Sequence, residues 1–166
     1  MKPHLENVQG YTLVKTGDKS NALGERAAEY LFTLDLVNPL TFHDGKGGKY
    51  QPNRKYKSDM GTIPKLLQRI VAKDKYLLSF LFHDSCWEHG GVWYCAPGYE
   101  TYAFVKMNRT TSNRLLKDMV LVEGKLYEGI KPAELKRDAK WIKVAVDLYA
   151  FWARISRRVP RHKRLS

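Results

Sequence analysis

His83 and Asp84 adjoin in the segment Leu81-Phe82-His83-Asp84-Ser85-Cys86-Trp87 and pair a side chain that moves protons with one that holds cations. An imidazole, whose ordinary pKa lies near neutrality, takes a proton from water. The neighbouring carboxylate suits a metal that polarises a carbonyl or phosphoryl oxygen. On a helix the two point about 100° apart, so they bond each other poorly and serve one site from adjacent faces. The same residues also admit a reading without chemistry. Both groups then lie buried at the end of a helix, where they hydrogen-bond the turn at Asp59 and the next helix and hold sheet and helices together.

Two other groupings have metal-ligand types. His83, Cys86, His89 and Cys95 form H-x2-C-x2-H-x5-C, a zinc-type set. Positions 83 and 89 point apart on one helix, so coordination requires unwinding near Glu88, which makes zinc the less favoured metal. His43-Asp44 with His83-Asp84 forms a phosphohydrolase-like set in which His43 follows a strand. Trp87, Trp93, Tyr94, Tyr99 and Tyr102 read first as core and loop packing, and second as an aromatic binding surface.

The elements that must position these residues follow from periodicity. Tyr11–Val14 and Tyr30–Val37 are rich in β-branched and aromatic residues, and Leu40-Thr41-Phe42 continues after Asn38-Pro39. After the glycine turn at 44–49, Tyr50–Lys57 is expected as an edge strand because Pro52 cannot donate to a ladder. Pro64 opens a short helix with Leu66, Leu67, Ile70 and Val71 on one face. Asp74 is expected to cap a helix running through His83 to Glu88 and ending at Gly90-Gly91. Val92–Tyr102 reads as a loop. Asn108 or Thr110 caps a third helix that stops near Gly124, and Pro132 opens a fourth that continues to about Arg158. The expected fold is α+β: a small N-terminal antiparallel sheet followed by three or four helices, the last one long.

That last helix carries two apolar seams. Leu135, Ala139, Ile142, Val146, Tyr149 and Ala153 make one, and Trp141, Val144, Leu148, Phe151 and Ile155 the other. One packs on the domain, which leaves the second for a partner. Beyond it, a basic tail over 154–166 (Arg154, Arg157, Arg158, Arg161, His162, Lys163, Arg164) reads either as a solvated end or as an anion-binding arm on phosphate or phospholipid headgroups.

The motifs around His83 carry a resemblance. Ser58-Asp59-Met60-Gly61-Thr62-Ile63-Pro64, then His83-Asp84, then Arg109-Thr110-Thr111-Ser112-Asn113 resemble, in order and spacing over about residues 28–125, a phage and prophage family of unknown function. That family shows a Ser/Thr-Asp-x-Ala/Gly-Ser/Thr-Ile/Val-Pro turn, an HD-x-x-Y helix and an R-x-x-A-D helix. The resemblance implies a viral origin, with synthesis in the host cytoplasm and a place in the virion as one destination. More distantly, the helix pair resembles phospholipase A2, which implies His83 as base, Asp84 as calcium ligand, and Asn113 as the group that orients the imidazole, while Asp59, in the phage family's first motif, is the spare carboxylate best placed to approach His83. Three departures stand out: Asn113 replaces an Asp, Trp87 replaces a Tyr, and no glycine-rich calcium loop lies at the expected distance. An Asp-to-Asn change of this kind costs roughly 10⁴-fold in a protease triad.

The totals bound these readings. With 166 residues, 43% of them hydrophobic, the chain suits a single domain, 1–166, with a substantial core. Its 29 Lys and Arg against 17 Asp and Glu give a net charge of +12, which favours an anionic partner. Two cysteines, not in a C-x-x-C pair, leave no disulfide framework. The first six residues lack the apolar run of a signal peptide. The longest apolar stretch, Val144–Ala153, is interrupted by Asp147 and is shorter than the roughly 20 residues that a bilayer requires. The function expected is that of a non-enzymatic virion- or tail-associated or host-directed binding protein, with a phospholipase A2-like metal-assisted hydrolase as the alternative.

Overall fold

A computed structural model describes residues 2–20, 26–58 and 73–158. The architecture is α+β: two antiparallel sheets, mostly from the N-terminal half, and three helices, the last one long. The strands are β1 (His4–Glu6), β2 (Tyr11–Ser20), β3 (Arg26–Leu34), β4 (Thr41–His43), β5 (Lys49–Gln51), β6 (Lys55–Ser58), β7 (Gly91–Cys95) and β8 (Ala103–Lys106). The helices are α1 (Leu77–His89), entered through a 3-10 turn at Lys73–Tyr76, α2 (Arg109–Glu123) and α3 (Pro132–Arg158). One sheet runs β1-β4-β5-β7-β8 and the other β2-β3-β6.

Three expectations need correction. The segment 50–57 is not one edge strand. It divides at Pro52-Asn53-Arg54 into β5, interior to the larger sheet, and β6, at the edge of the smaller one. The missing N–H of Pro52 ends one ladder, and the chain changes sheets there. Nor is Val92–Tyr102 all loop. β7 pairs with both β5 and β8, with Trp93 opposite Phe104 and Tyr94 opposite Ala103. The aromatic residues there are strand formers, and Pro97-Gly98 supplies the turn. Finally, α1 begins at Leu77, and the helix's N-cap residue, Tyr76, makes no side-chain cap, so Asp74 does not start it. The short helix expected from Pro64 lies outside the described residues.

Helix α1 is buried over most of its circumference, polar Ser79, His83 and Ser85 included, because it is packed on two sides. Leu78, Leu81, Phe82 and Cys86 face Phe32, Leu34, Phe42 and Tyr56 of the sheets, with Leu115 and Met119 of α2. Phe80 joins Tyr76, Leu116 and Val120 in a second core against Leu135, Ala139, Ile142 and Val146 of α3. The helix stops at Gly90, whose φ of 70° is the left-handed conformation that glycine adopts without strain. Asn108 caps α2 as expected, its side chain accepting from the Thr111 N–H at 2.9 Å. At the far end Gly124 leaves room for Leu135, which a Cβ there would meet at 2.3 Å.

Candidate functional site

His83, in the middle turns of α1, is 7% exposed. Its Nε2 lies 2.8 Å from Oδ1 of Asn113 on α2. The direction of that bond follows from the next one. Asn113 Nδ2 donates to Asp147 Oδ1 on α3 at 2.5 Å, so its Oδ1 must be the acceptor towards the imidazole. His83 therefore carries its proton on Nε2, which leaves the Nδ1 lone pair as the basic position. Asp147 is closed on its outer side by Lys143 Nζ, 2.6 Å from Oδ2. A chain of four side chains, imidazole, amide, carboxylate and ammonium, thus runs from the core to the surface and links all three helices. Burial holds the imidazole down at about 4, against partial compensation from Asn113 and Asp147, so His83 is neutral at pH 7.

Asp84 and Ser85 turn to other neighbours. Asp84, half-buried, accepts from Ser58 Oγ of β6 at 2.5 Å. Ser85 Oγ accepts from the backbone N–H of Asn53 at 2.7 Å and from its amide at 2.8 Å, and the same amide donates to Gly91 O. Three consecutive polar residues of α1 therefore reach three elements: His83 binds α2, Asp84 binds β6, and Ser85 binds the turn between the sheets. Beside them, Trp87 lies 5.5 Å from the His83 ring between centroids, and the Arg109 guanidinium sits 4.9 Å over the Trp87 indole.

Of the residues singled out from the sequence, His83 and Asn113 are brought into direct contact. Asp84 follows His83 in the chain but is held by a different partner, and Asp59 lies outside the described residues. The backbone of Arg154, Arg157 and Arg158 continues α3, while Arg161, Lys163 and Arg164 lie outside the described residues. The zinc-type set is dispersed: Cys95 Sγ donates to Tyr99 O, His89 Nε2 lies 3.2 Å from Lys55 O, and Cys86 packs against the Met107 sulfur. Burial pushes the Cys86 thiol up to about 12, so it is protonated and inert. His43 stacks on His4 and pairs with Glu6 at 2.8 Å, away from His83. Among the described residues no three His, Cys, Asp or Glu side chains form a group fit to hold a metal. A calcium ion at Asp84 would thus draw its other oxygens from carbonyls, water, substrate or residues beyond those described. Trp93 and Tyr102, of the aromatic set, line with Arg54 and Gln51 a cleft of about 270 Å3 that contains none of His83, Asp84 and Asn113.

Two residues of the site were not foreseen as such. Asp147 has a signal in the sequence, since it is the acid that interrupts the apolar run Val144–Ala153. Glu123 ends α2, where a carboxylate is unfavourable to its own helix dipole. It is fully buried and serves α1 instead, accepting from Leu78 N, Ser79 N and Ser79 Oγ at 3.0, 2.8 and 2.6 Å.

The long helix presents a second candidate surface. Leu135, Ala139, Ile142 and Val146 of its first seam are buried in the second core, whereas Trp141, Leu148 and Phe151 of the other seam are 40%, 48% and 58% exposed. The architecture and this pair of features define the class as an α+β protein with a buried polar helix junction and an exposed amphipathic helix. No family model matches the chain, and comparison with curated proteins and with solved structures also finds no match.

Proposed function

We propose that the chain is a bacteriophage-encoded docking protein, virion- or tail-associated or host-directed, that works by binding through the outer face of α3 rather than by turning over a substrate. The observation that carries this reading is the contrast within that helix: one seam is buried at Leu135, Ala139, Ile142 and Val146, and the other holds Trp141 and Leu148 in water. Monomeric proteins rarely leave such a strip without use. The dispersal of His83, Asp84 and Ser85 onto three structural neighbours supports it, because that is how a junction is built. The order of the three motifs supports the phage origin. A photo-reactive residue at position 148 is expected to capture one discrete adduct in producing cells, and the same residue at exposed Lys106 on β8 none. Equal capture at both positions, or at neither, contradicts the docking reading.

A second reading, a phospholipase A2-like hydrolase, is favoured by one observation. With Nε2–H committed to the Asn113–Asp147 chain, the other imidazole nitrogen is fixed as the base. In that role His83 takes the proton of an attacking water at Nδ1, and the amide and carboxylate keep the ring oriented. Calcium-dependent release of fatty acid from anionic vesicles, lost in His83→Gln with an unchanged circular dichroism spectrum, would establish it.

A further inference from the structure

The outer face of α3 divides lengthwise. Trp141, Val144 and Leu148 follow at three- and four-residue steps along one stripe, with Trp141 and Leu148 exposed. About a quarter-turn round the helix, Lys136, Lys140 and Lys143 follow at the same steps, and the helix positions of Arg154 and Arg158 continue that line. Asp147 falls within the cationic stripe, where Lys143 neutralises it at 2.6 Å. The opposite face is filled by α2, so α3 offers a flat strip and not a rod that a groove can enclose.

Charge selects among occupants of such a strip. A second copy brings its own +12 against the same cationic stripe. Nucleic acid satisfies the lysines but leaves Trp141 and Leu148 in water. A bilayer surface rich in anionic headgroups accepts both stripes at once, the apolar one at the acyl boundary and the cationic one among the phosphates. Among the described residues no helix is long and apolar enough to cross a membrane, so the helix would lie along the surface. We propose that the Trp141–Leu148 strip, flanked by Lys136 and Lys140, docks on an anionic lipid surface. This rests on the docking reading above and adds its occupant.

The test uses the full chain with Leu148→Cys carrying an environment-sensitive fluorophore, the native Cys86 and Cys95 being buried. Vesicles containing phosphatidylglycerol are expected to blue-shift the label, and vesicles of phosphatidylcholine alone to leave it unchanged. Lys136→Gln with Lys140→Gln, both exposed positions, lowers partitioning about 30-fold at low salt, given roughly 1 kcal/mol per lysine. Equal binding to neutral vesicles, or co-sedimentation with a silent label, overturns the proposal. A shift with duplex DNA in place of vesicles, or one that grows with protein concentration alone, overturns the lipid assignment and leaves the docking reading standing. A label silent under every condition, with no adduct captured at 148 in cells, removes both.

Discussion

The chain of His83, Asn113, Asp147 and Lys143 decides what the imidazole is able to do. An amide accepts from Nε2–H but carries no charge to stabilise an imidazolium, and the burial of the ring is therefore the larger influence. Transposing the two middle groups separates these effects. Asn113→Asp alone sets two carboxylates against each other and is expected to destabilise the fold. Combined with Asp147→Asn it restores one donor facing one acceptor, while placing the charge directly on the imidazole. The double variant is expected to recover most of the stability lost by the single one and to raise the His83 pKa well above 4, read from the imidazole 15N shifts. Recovery without a rise in pKa would mean that the amide is not the contact that sets it. The pH dependence of stability has a definite sign. The unfolded chain binds the His83 proton near its ordinary value of 6.5 and the folded one near 4, so stability is complete above that ordinary value and falls as the pH drops towards 4. The loss amounts to about 3 kcal/mol. Glu123, raised by burial, acts in the opposite sense and offsets part of this at the acid end. Urea titrations at pH 7 and pH 5, between which about 2 kcal/mol of this is lost, measure the effect, and equal midpoints would contradict the buried neutral imidazole.

Among the elements, α1 depends most on its neighbours. It has no side-chain cap of its own, and Glu123, from the end of α2, satisfies its first free N–H groups. Glu123→Ala is expected to cost about 2–3 kcal/mol, more than a surface cap, because buried donors are left without an acceptor. Glu123→Gln keeps one acceptor and costs less, so thermal melts of the pair rank the two effects, and equal melting temperatures would show that the carboxylate does not cap the helix. This contact also explains what was legible in the sequence. Local signals, Asn108 before α2, Gly90 after α1 and Pro132 opening α3, place their boundaries correctly because the cap lies within the same element. The start of α1 was misplaced at Asp74 because its cap lies 45 residues away in the chain, a distance that periodicity cannot span. The division of 50–57 between two sheets was hidden for the same reason, as pairing partners are set by tertiary packing.

The whole molecule has α1 at its centre, with sheets on one side and α2 and α3 on the other, and this arrangement fixes which seam of α3 is left outside. The two seams were readable from spacing. Which of them faces the core follows from Leu135, Ala139 and Ile142 meeting Leu116 and Val120. The site was legible in part: His83 and Asn113 meet as the motif order implies, while Asp147 joins them from a helix that no motif covers. Association through α3 is therefore expected to leave the sheets and the His83 junction unaltered. The most direct measurement is hydroxyl-radical footprinting of the full chain, compared between the purified protein and the protein in its producing cells. Protection at Trp141 and Leu148, with the exposed Leu36 and Val37 at the sheet end unchanged, is the predicted result. Undiminished labelling at Trp141 and Leu148, with protection falling instead on the sheet end, would contradict the account.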